Sequence, residues 1–491
     1  MVSSSDWLHH QAQVNGDHTA LVTPEGRWTF RELDADVARL AGILSRFGVK
    51  RHERVAYRLP GNADHVRLVH AITRLGAVLV PLNTRLSPRE LGPILENADP
   101  ALILADTDDR FAWPERAHAR VLSMTSLRQF STGDPIADRL LNFDDLHALV
   151  YTSGTTGIPK GVELTLGAQW WSAVGFALNA GLLPQDVWLH MMPLFHVGGL
   201  TILFRSVIHG SAIVLEPRFD AARARRLMDE EAVTLMSVVP TMVHRLLELP
   251  DPAPPTLRLA LLGGAPAAPV LIQAAHRRGY PVVPTYGMTE TCSQIVTLNR
   301  DEVALRTSTS GHPNLPTRIR IVHDGRDAEP GCPGEIWVQG PTVARGYWRN
   351  PEATQAAFRD GWLRTGDVGS MDRDGYLTVT DRLKDLIIRG GENISPTEVE
   401  AEILRVPGIQ DCAVFGVESA EWGQEVGSAL VAEDGFNPEN LPGLLSKRLA
   451  SYKIPSIYYR VGEIPRNASG KILRTELQRQ ARTLTKWVEL S

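Results

Sequence analysis

Residues 151–161 combine the residue types that bind phosphate. They spell Tyr-Thr-Ser-Gly-Thr-Thr-Gly-Ile-Pro-Lys-Gly and overlap the end of a short apolar run, 146–151, that predicts a buried strand. Glycines let backbone N–H groups approach an anion, hydroxyls donate to phosphate oxygens, and a lysine adds positive charge. The predicted phosphate-binding residues are Thr152, Ser153, Gly154, Thr155, Thr156 and Lys160. A Walker loop needs the order Gly-Lys-Ser/Thr, which this segment does not have, and the competing interpretation is a flexible surface turn.

Four further strings accompany this loop, and together the five resemble the ordered motifs of the adenylate-forming acyl-CoA synthetases. The four strings are Tyr286-Gly-Met-Thr-Glu290, Trp362-Leu-Arg-Thr-Gly-Asp367, Asp381-Arg-Leu-Lys384 and Asn467-Ala-Ser-Gly-Lys471. Each is weak evidence alone, but five in the right order over nearly the whole chain are highly specific. The resemblance implies ATP, Mg²⁺ and coenzyme A. It also implies a two-step reaction that converts a carboxylic acid to acyl-AMP and then to its coenzyme A thioester.

The resemblance implies a role for each matching residue around the nucleotide. Thr289 would bond the α-phosphate, and Glu290 would hold Mg²⁺, a hard cation that prefers carboxylate and phosphate oxygens. Asp367 would accept from the ribose hydroxyls, and Arg382 would be a second nucleotide contact. The residues expected near the adenine are Gly263, Gly264, Ala265, Tyr286, Gly287 and Met288. Without the other motifs, Asp367 would be an ordinary turn residue, and Arg382 would form a structural ion pair.

Lys471 resembles the catalytic lysine of the first half-reaction, which bridges the substrate carboxylate and the α-phosphate as a compact charge. An isolated surface lysine is normally solvated, so the surrounding match to the family carries this prediction. Lys384 occupies the hinge position, about which the family rotates a small C-terminal domain between the two half-reactions. After rotation, the loop that contains Gly390 and Gly391 would replace Lys471 and line the pantetheine channel.

The string Met192-Pro-Leu-Phe-His-Val-Gly-Gly199 bears on the choice of acid. Amino-acid-activating relatives usually place an aspartate beside the aromatic residue, whereas this chain has Phe195-His196. His196 is therefore predicted to be a catalytic and substrate-binding donor to an acid that lacks an α-amine, and the alternative is a buried histidine bonded to backbone.

A longer string, Gly287-Met-Thr-Glu-Thr-Cys-Ser-Gln-Ile-Val-Thr297, narrows the resemblance to the ligases that act on 2-succinylbenzoate in menaquinone synthesis. That substrate is an aromatic keto-dicarboxylate, so Ser293 and Gln294 are predicted to bind its additional polar groups together with His196. Cys292 has no nearby base in the sequence and is predicted to pack rather than to react.

Three alternatives remain open at this point. The chain could ligate another aryl or a short or medium acyl acid, or it could be an adenylation module that loads a separate carrier protein. A nucleotide-binding pseudoenzyme is the third alternative. It is disfavoured because Glu290, Asp367 and Lys471 are all present.

The elements that must position these residues are those of an α/β fold. Short apolar runs at 146–151, 257–262 and 281–283 predict buried strands, each followed by a loop of small residues. In an open α/β sheet, ligands bind outside the carboxyl ends of the strands, so these loops would outline one site. Closely spaced turns from Gly334 onward predict a β-rich subdomain. Ser395-Pro-Thr-Glu398 predicts the start of a helix with a capping box, and Val399, Ile403 and Leu404 predict its apolar face.

The 491 residues allow about three domains of roughly 150 residues. The motifs divide them into a large adenylation domain of layered α/β subdomains plus the β-rich subdomain, residues 1–383, and a small mobile α+β domain, 384–491. The net charge of −5 indicates neither a nucleic-acid nor an anionic membrane partner. Three dispersed cysteines and the lack of a signal sequence or of a long apolar run predict a cytoplasmic protein, and a homo-oligomer remains open.

Overall fold

A computed structural model describes residues 2–106, 111, 113–114, 119–129, 134–152, 159–265, 267–382, 385–389, 392–419, 422–467, 470–481 and 486–489. Its strands, in chain order, are β1 Ser3–Ser4, β2 Thr19–Thr23, β3 Gly26–Thr29, β4 Arg54–Arg58, β5 Val78–Pro81, β6 Leu102–Ala105, β7 Arg120–Ser123, β8 Leu141–Asn142, β9 Leu146–Thr152, β10 Lys160–Thr165, β11 Val187–His190, β12 Ala212–Leu215, β13 Leu235–Val238, β14 Leu259–Leu262, β15 Val282–Met288, β16 Ser293–Thr297, β17 His312–Pro313, β18 Arg318–His323, β19 Arg326–Asp327, β20 Gly334–Gln339, β21 Phe358–Arg359, β22 Trp362–Met371, β23 Leu377–Arg382, β24 Ile387–Arg389, β25 Glu392–Ile394, β26 Ile409–Ser419, β27 Gly423–Ala432, β28 Ile457–Arg460 and β29 Lys486–Glu489.

The α-helices are α1 Trp7–Val14, α2 Phe30–Arg46, α3 Ala63–Leu75, α4 Pro88–Ala98, α5 Met124–Arg128, α6 Leu166–Ala180, α7 Val197–His209, α8 Ala221–Glu230, α9 Pro240–Leu247, α10 Pro269–Arg277, α11 Pro351–Ala357, α12 Pro396–Ile403, α13 Leu441–Leu445 and α14 Arg474–Gln480. Among the described helices, none combines the length and the apolar character that crossing a membrane requires.

Two mainly parallel sheets form the large N-terminal unit and confirm the predicted α/β class. One has the order β10-β9-β5-β4-β6-β7, and the other has the order β17-β16-β15-β14-β13-β11-β12-β2-β3. Strand β14 is buried along its whole length, as expected for a parallel strand covered on both faces. Helices α1, α2, α3, α6 and α7 pack on one another, and one hydrophobic core runs through both sheets and these helices. At its centre the ring of Trp7 lies 6.1 Å from Trp170 and 6.2 Å from Phe204, between ring centroids.

Strand β15 is longer than the sequence predicts. The apolar run ends at Val283, but the strand continues to Met288 because β16 folds back and pairs with it antiparallel. The string that begins at Tyr286 therefore lies partly on a strand rather than wholly in a loop after it. The register shifts between Tyr286 and Gly287, where the strand bulges.

The predicted β-rich subdomain is present, but it begins earlier than Gly334. Its antiparallel sheet has the order β19-β18-β20-β22-β21, with β23 also paired to β22, so it starts at Arg318. The last sheet has the order β25-β24-β27-β28-β29, with β26 paired to β27, and builds separate cores from residue 387 onward. Whether the domain boundary falls at Lys384 stays a prediction, because residues 383–384 lie outside the described part of the chain.

The predicted helix after Ser395 is α12, and its apolar face is as expected. Val399 and Ile403 are fully buried, and the Ser395 hydroxyl accepts from the Glu398 N–H at 3.0 Å. The second bond of a capping box, from the Ser395 N–H to the Glu398 carboxylate, does not form. Glu398 instead accepts from Lys453 Nζ at 2.7 and 2.8 Å, because the adjacent 3₁₀ turn brings that cation within reach.

Candidate active site

Several of the predicted site residues that the structure describes lie on adjoining elements of the two large sheets and the β-rich sheet, among them Lys160, Tyr286 and Asp367. Strands β13, β14 and β15 are parallel neighbours, so their carboxyl ends lie at one edge of the nine-stranded sheet. Strand β9 belongs to the other large sheet and brings the phosphate-binding segment from that side. The three loops expected at one edge therefore come from two sheets.

The phosphate-binding segment connects two antiparallel strands. Thr152 at the end of β9 pairs with Lys160 at the start of β10, which fixes both ends of the loop between them. This hairpin differs from the strand-to-helix turn of a Walker loop and agrees with the different residue order. Ser153, Gly154, Thr155 and Thr156 lie outside the described residues.

Lys160 and Glu290 are brought together by a tyrosine that the sequence analysis did not identify. Lys160 Nζ lies 5.1 Å from the centre of the Tyr347 ring, a cation–π distance. The Tyr347 hydroxyl donates to Glu290 Oε1 at 2.9 Å. Backbone bonds hold this arrangement, since Ala344 N–H donates to the Glu290 carbonyl at 2.8 Å and Trp348 N–H donates to the Gly161 carbonyl at 2.8 Å.

Tyr286 and Asp367, 81 positions apart in sequence, are joined directly. The Tyr286 hydroxyl donates to Asp367 Oδ2 at 2.8 Å, and Asp367 is only 5% exposed. Asp367 on β22 also lies opposite Arg382 on β23 in the strand register. The structure thus groups the three residues expected to contact adenine and ribose, although it describes only the backbone of Arg382.

The hairpin of β15 and β16 leaves no room for a side chain at Gly287. A Cβ there would lie 2.1 Å from the Ser293 carbonyl oxygen and 2.6 Å from Gln294 Cα. Between the strands, Thr289 and Glu290 lie in a 3₁₀ turn. The Thr291 hydroxyl ties this turn together because it accepts from Met288 N–H at 2.9 Å and donates to the Ser293 carbonyl at 2.9 Å.

The segment after β14 also approaches the neighbouring strand closely. Gly263 follows the last residue of β14, and a Cβ there would lie 2.9 Å from the hydroxyl oxygen of Thr285 on β15. Gly264 has φ +80°, a conformation that favours glycine. Ala265 comes next, so all three residues expected along the adenine edge follow the end of β14, and the first of them lies against Thr285, the residue before Tyr286.

His196 is the N-cap residue of α7 and lies half-buried beside Phe195. Its ring centroid lies 4.6 Å from that of Phe195, and its Nε2 is buried without a hydrogen-bond partner among the described residues. Burial, aided by the positive charge of Arg85, lowers the pKa of His196 to about 4. The imidazole is therefore neutral near pH 7 and able to bind a polar substrate atom. The alternative interpretation was a buried histidine bonded to backbone. His190 fits that description, because its Nε2 bonds the Gly199 carbonyl at 3.0 Å.

Ser293 and Gln294 lie at the start of β16 above a buried arginine. Arg205 on α7 is 2% exposed and donates to Gln294 Oε1 at 3.0 Å and to Ser172 Oγ at 2.9 Å. Within the described part of the chain it has no carboxylate partner, and its Nε is buried and unpaired. Burial lowers the pKa of Arg205 to about 10, so the group remains charged at pH 7.

Arg205 was not among the predicted site residues. The available signal was one charged residue within the otherwise apolar run of α7. A buried cation without a counter-ion is costly unless an anion pairs with it, so this position favours a negatively charged group of a ligand.

Cys292 is packed, as predicted. It is completely buried, and burial raises its thiol pKa to about 12, which suppresses the nucleophilic thiolate. Its carbonyl accepts from the Ser172 hydroxyl at 2.9 Å, so the residue anchors the turn that presents Ser293.

The loop that carries Lys471 lies against the start of α9. A Cβ on Gly470 would be 3.8 Å from Thr241 Oγ1 and 3.8 Å from a methyl carbon of Val239, at the carboxyl end of β13. The loop is closed by two bonds: Lys471 N–H donates to Asn467 Oδ1 at 2.9 Å, and Asn467 N–H donates to the Lys471 carbonyl at 2.8 Å. The C-terminal unit thus brings Lys471 to the edge of the sheet where the other site residues lie. Lys384, Gly390 and Gly391 are outside the described residues.

The side chains present fit a magnesium ion that is held largely by its nucleotide. No group of three His, Cys, Asp or Glu side chains able to hold a metal occurs in the described ranges, so Glu290 would be a single protein ligand. Mg²⁺ is commonly bound by one or two carboxylates together with phosphate oxygens and water. Lys160, whose Nζ lies over the Tyr347 ring, would help to hold the nucleotide phosphates that complete the coordination.

Two family models match the chain. Residues 8–348 match the model of the AMP-binding enzyme, and residues 398–471 match that of the AMP-binding enzyme C-terminal domain. Over its length the chain is 40% identical to the 2-succinylbenzoate–CoA ligase of Bacillus licheniformis, with 97% of this chain and 100% of the relative covered. It is 41% identical to the ligase of the same name from Geobacillus kaustophilus, with 98% of both chains covered.

Solved structures of the Bacillus subtilis o-succinylbenzoate CoA synthetase have the same fold. The complex with the acyl-adenylate intermediate has a TM-score of 0.92 at 38% identity, covering 97% of this chain and 99% of that one. The complex with ATP and magnesium ion also has a TM-score of 0.92 at 38% identity, covering 97% of this chain and 100% of that one. A double mutant bound to a product analogue gives 0.76 at 38% identity, with both chains fully covered. The chain therefore belongs to the AMP-binding enzyme family and is a close relative of the 2-succinylbenzoate–CoA ligases.

Proposed function

We propose that this protein is an AMP-forming acid–thiol ligase that converts 2-succinylbenzoate to 2-succinylbenzoyl-CoA in menaquinone biosynthesis. It uses ATP, Mg²⁺ and coenzyme A. The observation that supports the diacid most directly is Arg205, a buried guanidinium without a carboxylate partner among the described residues, in contact with Gln294. The placement that we propose is the cytoplasm, where ATP and coenzyme A are available.

In the first half-reaction, an oxygen of the substrate carboxylate attacks the α-phosphorus, and the bond from phosphorus to the bridging oxygen breaks to release pyrophosphate. We propose that Asp367 holds the ribose, that Tyr286 packs on adenine, and that Thr152, Lys160 and the hairpin between them hold the phosphates. Thr289 bonds the α-phosphate and Lys471 neutralises the charge that develops as two anions meet. Mg²⁺ held by Glu290 supplies further neutralisation of the phosphate oxygens.

The substrate acid has three polar groups, two carboxylates and a ketone. We propose that one carboxylate meets the nucleotide while the other pairs with Arg205, with Ser293 and Gln294 beside it. The neutral imidazole of His196 donates to another carbonyl or carboxylate oxygen of the acid. Bidentate guanidinium contacts suit a carboxylate particularly well.

In the second half-reaction, the coenzyme A sulfur attacks the acyl carbon, the thiol proton is lost, and the bond to AMP breaks. We propose that rotation at Lys384 exchanges Lys471 for the loop with Gly390 and Gly391, as in the family. Leaving the adenylate bound while the cap rotates keeps the reactive anhydride out of water.

The test is turnover by the pure protein with ATP, Mg²⁺, coenzyme A and a panel of acids. The expected result is thioester formation with 2-succinylbenzoate, at a kcat/KM at least about tenfold above those for benzoate, 4-oxo-4-phenylbutanoate and medium-chain fatty acids. No thioester from 2-succinylbenzoate together with rapid turnover of another acid would overturn the proposal in favour of a ligase for that acid. Preferential loading of a carrier protein over free coenzyme A would favour the adenylation-module alternative.

A further inference from the structure

Asp381 joins the β-rich sheet to the C-terminal unit across the predicted hinge. It lies near the end of β23, opposite Val368 of β22, and is only 8% exposed. Its carboxylate accepts from the hydroxyls of Ser395 and Thr397 at the start of α12, the latter at 2.8 Å. The Thr397 N–H also points to it at 3.4 Å. One side chain of the large unit thus binds the first turn of a helix that belongs to the small unit.

The same helix is connected to the loop that carries Lys471. Glu400, one turn further along α12 and 7% exposed, forms a two-pronged ion pair with Arg474 Nη2 at 2.6 and 2.7 Å. Arg474 lies three residues after Lys471 and also donates to the Val414 carbonyl at 3.0 Å. Asp381 and the start of α14 are therefore bonded to the same helix, at positions one turn apart on α12.

The surroundings of Asp381 also affect the pKa of its carboxyl group. Burial raises the pKa of its carboxyl, against the opposing effects of the bonds from Ser395 and Thr397 and the positive charge of Arg474. A buried carboxylate depends on these donors, so separating it from α12 would leave it without them. The contact is therefore expected to favour one orientation of the two units over others.

The orientation is the one in which the Lys471 loop lies on α9. It agrees with the higher TM-scores to the ATP and acyl-adenylate complexes, 0.92 for each, than to the product-analogue complex, 0.76. We propose that Asp381 is a positioning residue that holds the C-terminal unit in this orientation for the first half-reaction, and that its bonds to α12 open when the unit rotates. The proposal rests on the two-step function given above.

The experiment compares Asp381→Asn with the wild-type protein in two ways. Spin labels at Leu178→Cys and Leu444→Cys, both exposed and one on each unit, report the distance between the units once the exposed Cys332 is changed to Ser. In the ligand-free full chain, we expect the wild type to give one dominant distance and Asp381→Asn to give a broader or displaced distribution. Acyl-AMP formation is expected to slow about tenfold, because the variant loses one charge-assisted hydrogen bond that favours this orientation. Thioester formation from supplied acyl-AMP is not expected to slow.

Asp374→Asn is the matched control, because this exposed aspartate lies in the turn before β23 and pairs with Arg306 rather than with α12. It is expected to match the wild type in both readouts. Thr397→Val removes one Asp381 bond and leaves the helix-capping hydroxyl of Ser395 in place. It is expected to slow acyl-AMP formation less than Asp381→Asn does, again without slowing thioester formation. If Asp381→Asn does not fold, Thr397→Val decides alone.

An unchanged distance distribution, or equal slowing of both half-reactions, would overturn the positioning role. The distance measurement needs no acid, so it separates this proposal from the substrate assignment. If wild-type protein fails to activate 2-succinylbenzoate but the distances shift as expected, the substrate proposal fails and the positioning role stands.

Discussion

Two hydrogen bonds that hold the loop of Lys471 use its backbone N–H and carbonyl, so the charge of the side chain can be removed without breaking them. The bonds that close the loop use the backbone of Lys471 and the side chain of Asn467, so Lys471→Ala should leave the loop in place. We expect acyl-AMP formation to fall by roughly 100-fold or more, because a preorganised charge at the transferring phosphoryl group is lost. Thioester formation from supplied acyl-AMP should be largely retained. Pyrophosphate release and thioester formation, measured separately, check this expectation.

Lys447→Ala provides the control, since this exposed lysine lies in the same unit away from the Lys471 loop. It is expected to leave both half-reactions unchanged. Equal losses in both half-reactions for Lys471→Ala would contradict the assignment of the lysine to one step.

Arg205 is expected to affect ligand-free stability and catalysis in opposite ways. In Arg205→Met an unpaired buried charge is removed, so the melting temperature of the ligand-free protein should not fall. The kcat/KM for 2-succinylbenzoate should fall by about tenfold to a hundredfold, as for loss of a charged hydrogen bond of 1.5–3 kcal/mol. Analogues that lack either carboxylate provide the comparison, and Arg205→Lys should restore part of the activity. Equal loss for the diacid and for whichever monoacid is activated would exclude a role in recognising the second carboxylate.

The sequence could propose those candidate site residues that lie in local motifs. Tyr286, Glu290 and Asp367 are marked in this way, and the structure brings Tyr286 and Asp367 into contact. Arg205 and Tyr347 could not, because their importance comes from partners far away in sequence: Gln294 is 89 positions from Arg205, and Glu290 is 57 positions from Tyr347. Burial without a counter-ion is a property of the packed core that no single segment expresses.

The hairpin of β15 and β16 is the element on which the proposed nucleotide and acid contacts both depend. Gly287→Ala would place a Cβ 2.1 Å from the Ser293 carbonyl oxygen, so the strands must separate or the bulge must change. Overpacking of this kind costs roughly 1–3 kcal/mol, and it would displace Tyr286, Thr289 and Ser293 together. We expect the KM values for ATP and for the acid both to rise, and the melting temperature to fall.

Gly443→Ala is the matched control, because a Cβ at this position in α13 meets no atom within 4 Å. It should leave both KM values unchanged. Steady-state kinetics with each substrate varied in turn would distinguish the two variants, and a rise in only one KM for Gly287→Ala would contradict the shared role of the hairpin.

The ends of elements were the hardest to predict, and the reason is pairing between strands. The apolar pattern of β15 stops at Val283, but hydrogen bonds from β16 extend the strand through the polar string to Met288. In α12, the predicted cap by the Ser395 hydroxyl is confirmed, but the Glu398 carboxylate bonds Lys453 instead of completing the capping box. Both outcomes depend on a neighbour that folds back against the segment, whereas the buried runs of β9 and β14 were predictable from their own residues.

At the scale of the whole molecule, the described part of the large unit includes four deeply buried histidines, His65, His70, His147 and His190. Burial lowers the pKa of His147 to about 3 and those of the other three to about 4. His70 and His147 both pack edge-on against Phe204, with ring centroids 5.7 and 4.6 Å away, so protonation would place charge in the apolar centre of the fold.

These depressed pKa values predict acid sensitivity with a definite sign. Unfolded histidine has a pKa of about 6.5, so between about pH 6.5 and pH 4 the unfolded chain binds more protons than the folded one. The stability that the neutral rings contribute is fully present above about pH 6.5 and is lost as the pH falls through this range. We expect the melting temperature to decline over this range, and His147→Gln, which removes one titrating ring, to reduce the decline. His323→Gln gives the control for the substitution itself, because this ring is 68% exposed and lies outside the core. A melting temperature independent of pH from 6.5 to 4.5 would show that the buried rings are not protonated on unfolding.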